Sequence, residues 1–232
     1  MGDRRGLGDV VWFFVGAYVL AWGVWGLLWG IAGEDPTELI GAIEAGRFDE
    51  VDTSLPGWVL YLLTRLIDFS FSIVGVIAIG MTAGAAGLRT LWRRLIRTKI
   101  GWGWYAFWLL PVALYLVAAL LGTEDGFVWE SDTLGTTLFS LGSGLFVSIF
   151  LRGAMGEELG LRGFALPRLQ ERYSPLSAAL VIGVLWALWH LPVLIGRDPL
   201  SIVAFLLVAI GLSCVFAWLF NGSGGSLVPV LL

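Results

Sequence analysis

The chain has 232 residues, 58% of them hydrophobic and 14% charged, with a formal net charge of −4; its mean hydropathy is +0.86. A soluble domain is about 45–50% apolar and about 25% charged, so this composition excludes one and points to a membrane protein. Lipid admits only helices or a closed barrel, and the apolar runs here are continuous rather than alternating, so the expected fold is all-α, a polytopic transmembrane helix bundle.

The first apolar run, residues 10–32, is longer than a signal-peptide core of about 7–15 residues and reads as a retained span. Residues 34–56 form an acidic loop with a short surface helix between Pro36 and Gly46. The second span covers residues 58–87 and carries Arg65 and Asp68 at i,i+3, a pair expected to neutralise itself so that the helix can insert, with the lining of a substrate entrance as the sharper alternative. A basic loop follows at 89–99, then a third span at 104–121 and a second acidic loop at 123–132. An unusually long fourth helix is expected over 138–166, with Arg152, Glu157 and Glu158 within it. After a short basic connection at 168–174, the fifth span covers 176–195 and the sixth 200–220. A Gly/Ser turn at 221–226 leads into residues 227–232, the start of a seventh helix. Six full spans plus that start form one continuous bundle: residues 1–136 hold helices 1–3 and their loops, and 137–232 hold the core. Basic and acidic loops alternate, and positive charge marks the cytoplasmic side, so the N-terminus is expected inside a multi-pass protein of the cell membrane.

Thirteen Trp and 32 Gly suit headgroup anchoring and close helix approach. Cys214 is the only cysteine, which rules out an internal disulfide or a Cys-based metal cluster. No basic patch with interleaved aromatics suggests nucleic acid.

Ionisable groups inside apolar segments are functional candidates by default. Glu158 and Arg162 are an i,i+4 pair on one helix face. Glu157 points about 100° away and is free to face the bundle interior. Gly156 and Gly160 form a small-xxx-small pair that lets another helix approach beside the carboxylates. His190, the one histidine, lies in the next span at a depth within about one turn of Glu157. A carboxylate and an imidazole meeting in a bundle can bind a metal or activate a water.

At these residues the chain resembles the CPBP intramembrane proteases, the type II CAAX prenyl endopeptidase and bacteriocin-processing group. Their first motif, Glu-Glu-x-x-x-Arg, is matched by Glu157, Glu158 and Arg162. Their second, Phe-x-x-x-His, is matched by Trp186 and His190, with Trp in place of Phe. The run Gly224-Gly225-Ser226-Leu227-Val228-Pro229 is also family-like. The resemblance covers about residues 137–232. It implies an intramembrane endopeptidase in which Glu157, Glu158 and His190 are catalytic and Arg162 and Trp186 support the site. Glu157 and His190 would also be metal ligands, the metal being zinc, although a metal-free, glutamate-activated variant is conceivable. In relatives a third motif, His then Asn or Asp four residues on, would follow the Gly-Ser-Leu-x-Pro turn; none is present here, so the 232-residue chain is expected to be catalytically incomplete. The implied partners are membrane lipids and a peptide or protein substrate, hydrophobic or lipid-modified, reached through a cavity open to the cytoplasmic side. The rival reading is a non-catalytic immunity or scaffolding protein on the same fold. A transporter is the weakest reading, because no pair of broken helices is evident in the sequence.

Overall fold

A computed structural model describes residues 5–32, 36–44, 46–47, 55–107, 109, 150 and 153–232. Regular structure among them is helical throughout. In chain order it comprises α1 (Arg5–Ala32), α2 (Pro36–Glu44), α3 (Gly57–Asp68), α4 (Ser70–Leu95), α5 (Trp102–Ala106) and α6 (Gly153–Gly160). A π-helical turn (Leu161–Ala165) follows, then α7 (Leu166–Gln170), α8 (Pro175–Trp189), α9 (Leu191–Leu194), α10 (Pro199–Gly222) and α11 (Val228–Leu231). Three helices, α1, α4 and α10, are long and apolar enough to cross a membrane, and α8 is a shorter apolar helix. Most of the expected third span, the second acidic loop, Arg152 and the first half of the expected fourth helix lie outside the described residues.

The bundle is built by α1 against α3 and α4, α4 against α6, and α8 against α10. Helix starts follow from local chemistry. Ser174 Oγ accepts from the Ser177 N–H at 3.2 Å, and Asp198 Oδ1 from the Ser201 N–H at 3.0 Å. A proline follows each of these caps, where its missing N–H costs nothing. The hydrogen bonds from Ser201 also hold the Asp198 carboxyl below its ordinary range.

Two expected spans are broken. The second is not one helix: α3 ends at Asp68, Phe69 takes φ −93° and ψ 6°, and α4 begins at Ser70. α4 then runs past the expected end at Gly87 to Leu95, kinking at Gly84, whose φ of 58° and ψ of −154° only glycine adopts readily. The fifth span ends at Trp189, with His190 as its C-cap (φ −79°, ψ −1°). Pro192 lies two residues on and has no N–H for the Leu188 carbonyl, so the helix cannot continue unchanged. Val193 donates to His190 O instead, and the Trp189 carbonyl accepts from Trp22 Nε1 of α1 at 3.0 Å. Tyr18, one turn earlier on α1, donates its hydroxyl to Leu185 O. α1 thereby clamps the end of α8 that carries the histidine.

The fourth helix also differs from expectation. It continues to Gln170, and its register slips in the π turn. Pro167 has no N–H to give to Gly163 O, and Arg94 of α4 takes that carbonyl at 3.1 Å. π turns are rare and recur at functional sites.

Candidate functional site

Helices α3/α4 and α6 approach with no side chain between them at two points. A Cβ on Gly156 would sit 2.3 Å from Asp68 O, and one on Gly160 2.1 Å from Phe71 O. On the facing side, a Cβ on Gly75 would sit 2.6 Å from Gly160 Cα. Ser72 Oγ ties the pair further by donating to Met155 O at 2.7 Å. The glycines thus place the break at Phe69 directly beside the two glutamates.

The adjacent carboxylates diverge. Glu158 is buried, and its Oε1 accepts from Arg162 Nη1 at 2.6 Å. Arg162 is fully buried, with its guanidinium 5.6 Å from the Trp186 ring centre and 5.0 Å from that of Phe216. Glu157 faces elsewhere: its Oε2 accepts from Trp186 Nε1 at 2.7 Å.

His190 is fixed in one tautomer. Its backbone N–H bonds to Ala187 O, which leaves the Trp186 carbonyl to the His190 ring, 2.9 Å from Nδ1. A carbonyl only accepts, so Nδ1 carries the proton and Nε2 keeps its lone pair. The rings of Trp186, Trp189 and Phe205 pack edge-on around the imidazole at 5.5, 4.7 and 5.0 Å. Trp186 therefore positions both groups, Glu157 through its indole N–H and His190 through its carbonyl.

Glu157 and His190 line one cavity of about 360 Å³. Its other polar walls are Thr64 and Asp68, and Trp25, Ile67, Trp189 and Val193 supply apolar ones. Asp68 is ion-paired with Arg65 at 2.9 Å, as the spacing suggests, and it also faces the cavity. Of the two readings of the Arg65–Asp68 pair, a self-neutralised pair or the lining of a substrate entrance, the structure supports both: Asp68 is ion-paired and lines the cavity with Glu157. Trp189 lines the cavity, and Trp186 stands behind Glu157.

Ile40 and Gly41 of α2 also line the cavity, which lies toward the end of the bundle bearing α2. Trp25 lines this cavity, whereas Asp9, near the start of α1, lies with Arg94 and Arg168. The two positions are about 16 residues, or roughly 24 Å, apart along α1.

Among the described residues, no three His, Cys, Asp or Glu side chains gather as metal ligands. Glu157 and His190 offer two donors where zinc takes about four, so the donor set described does not fit the ion.

Trp186→Phe removes the donor to Glu157 and keeps an aromatic ring. A hydrogen bond to a charged acceptor is worth about 1.5–3 kcal/mol. The variant is expected to fold and to be less stable by about that amount in thermal unfolding; unchanged stability would show that the indole N–H does not hold Glu157.

Residues 139–232 match a family model described as "Type II CAAX prenyl endopeptidase Rce1-like". A curated relative, the "CAAX prenyl protease 2" of Methanococcus maripaludis, is 34% identical over 88 residues, or 38% of this chain and 32% of the relative. The matched segment thus spans about a third of the relative's length. Glu157, Glu158, Arg162, Trp186 and His190 all fall within the stretch matched by the family model.

Proposed function

We propose, from the membership of residues 139–232 in the CPBP family, that the protein is an intramembrane endopeptidase whose reaction takes place in the cavity shared by Glu157 and His190. The observation that carries this reading is that a carboxylate and an imidazole whose Nε2 keeps its lone pair line one cavity. His190 Nε2 accepts a hydrogen bond from a water and orients it. Glu157 takes a proton from that water as the oxygen attacks the peptide carbonyl carbon. When the C–N bond breaks, the proton on Glu157 passes to the leaving amine, so one water is consumed and one acid and one amine are formed. Glu158 and Arg162 hold the backbone register that points Glu157 into the cavity. The apolar walls at Trp25, Ile67, Trp189 and Val193 suit a hydrophobic peptide, and lipid-modified peptides belong to the same class.

The test is cleavage of hydrophobic membrane peptides by the full-length protein in proteoliposomes, read by mass spectrometry. Wild type is expected to yield paired products and the Glu157→Ala/His190→Ala double variant none. A cellular phenotype that survives the double variant would instead assign the protein to the non-catalytic immunity or scaffolding reading.

A further inference from the structure

At the opposite end of the bundle a second cavity, of about 370 Å³, lies between the start of α1, the outer half of α4, and α7. Arg94, Arg168, Asp9, Glu171, Thr82 and Thr90 face it. Both guanidinium groups are anchored. Arg94 Nη1 donates to Gly163 O at 3.1 Å, and Arg168 Nη2 to Thr82 Oγ1 at 2.8 Å, with its guanidinium 3.8 Å from the Phe164 ring centre. These bonds use only part of the five N–H donors each arginine carries. The two cations lie within electrostatic reach of each other, an arrangement that an anion between them would relieve.

Two carboxylates line the same space. Asp9 and Glu171 are both within reach of Arg168. Glu171 Oε2 lies 3.5 Å from where a Cβ on Gly6 would stand, so it closes over the start of α1. Beside the cavity α4 kinks at Gly84 and exposes Met81 and Leu88, an apolar strip continuous with the polar groups.

A pair of cations beside a pair of anions selects a zwitterion. A phosphoglycerol headgroup satisfies the arginines and brings the carboxylates no ammonium. A choline headgroup brings a cation that donates no hydrogen bond. Phosphoethanolamine supplies a phosphate for Arg94 and Arg168 and a three-donor ammonium for Asp9 and Glu171. The cavity holds the volume of about a dozen waters, room enough for that group. We propose that this cavity binds the phosphoethanolamine headgroup of a membrane phospholipid, with the acyl chains lying along α4.

The experiment uses the full-length protein, stripped of lipid in detergent and titrated with phosphatidylethanolamine, phosphatidylglycerol and phosphatidylcholine in turn, with binding read by native mass spectrometry. Phosphatidylethanolamine is expected to bind about tenfold more tightly than either of the others. Arg168→Gln is expected to weaken phosphatidylethanolamine and phosphatidylglycerol alike. Asp9→Asn is expected to reduce phosphatidylethanolamine to the level of phosphatidylglycerol. Glu171→Gln, at an exposed position, carries the same expectation should Asp9→Asn fail to fold. Equal binding of the three lipids, or a preference untouched by these variants, would overturn the proposal. Soluble glycerophosphoethanolamine binding as tightly as the lipid would overturn the assignment to a membrane lipid.

Discussion

Replacing Glu157 with Gln is expected to lower peptide hydrolysis by about three orders of magnitude while leaving the fold and substrate binding in place. The two side chains have the same shape. The Gln carbonyl can still accept the Trp186 indole N–H that Glu157 Oε2 holds at 2.7 Å, so the packing behind the cavity is kept. What is lost is the ability to take a proton from water, a contribution typically worth about 10²–10⁴ in rate. The loss should therefore appear in kcat, with KM little changed, because only the transition state uses the missing base. Glu158→Gln makes the informative contrast. Glu158 is paired with Arg162 at 2.6 Å inside the protein, and neutralising it leaves a buried cation without its counter-charge. Stability, and not the chemical step alone, should then suffer. Steady-state kinetics and thermal unfolding of both variants separate the two roles. An E157Q protein with near-normal kcat would take Glu157 out of the reaction.

The second large effect is expected at Gly160. A Cβ there would stand 2.1 Å from the Phe71 carbonyl oxygen and 2.6 Å from its carbon, with Phe13 at 3.0 Å. The obstacle is backbone, which cannot rotate aside as a side chain can. α4 and α6 would have to separate, and that contact aligns the Asp68 wall of the cavity with Glu157. Overpacking at a tight contact costs about 1–3 kcal/mol and sometimes more, and here it also moves the site. Gly160→Ala should therefore lower both the unfolding temperature and the activity. Gly23→Ala provides the control: nothing lies within 4 Å of its Cβ position in α1, so the lower backbone entropy of alanine should leave it as stable as wild type or slightly more so. A G160A protein as stable and active as G23A would contradict the close helix contact described above.

Much of the site was legible in the sequence because its signals are local. The i,i+4 spacing of Glu158 and Arg162 and the divergence of Glu157 follow from helix geometry, and Gly156 with Gly160 announced a close neighbour. What the chain did not announce were the interruptions that aim these groups. Residues 67–71 are Ile, Asp, Phe, Ser and Phe, with neither proline nor glycine, so the break after Asp68 left no local mark and the spacing alone did not choose between a self-neutralised pair and a cavity lining. Pro192 did mark the end of α8, yet placing His190 at the cap also needed Trp22 and Tyr18 of α1, far away in sequence. The end of α8 at His190 is in part a tertiary property, since the Leu185 and Trp189 carbonyls find their donors on α1. Loop charge says which end of the bundle is basic, but only the lining by α2 shows which end the cavity is nearer.

The central claim is that peptide hydrolysis takes place in the cavity between α2, the α3/α4 break and His190. The most direct test is to trap substrate there. The E157Q full-length protein, in proteoliposomes with a hydrophobic peptide carrying a photoreactive group beside the bond cut by wild type, would be cross-linked and mapped by mass spectrometry. Adducts on Ile40, Ile67, Trp189 or Val193 are the predicted result. Adducts confined to the basic end, around Thr82, Thr90 and Pro167, would place the substrate in the other cavity and contradict the account.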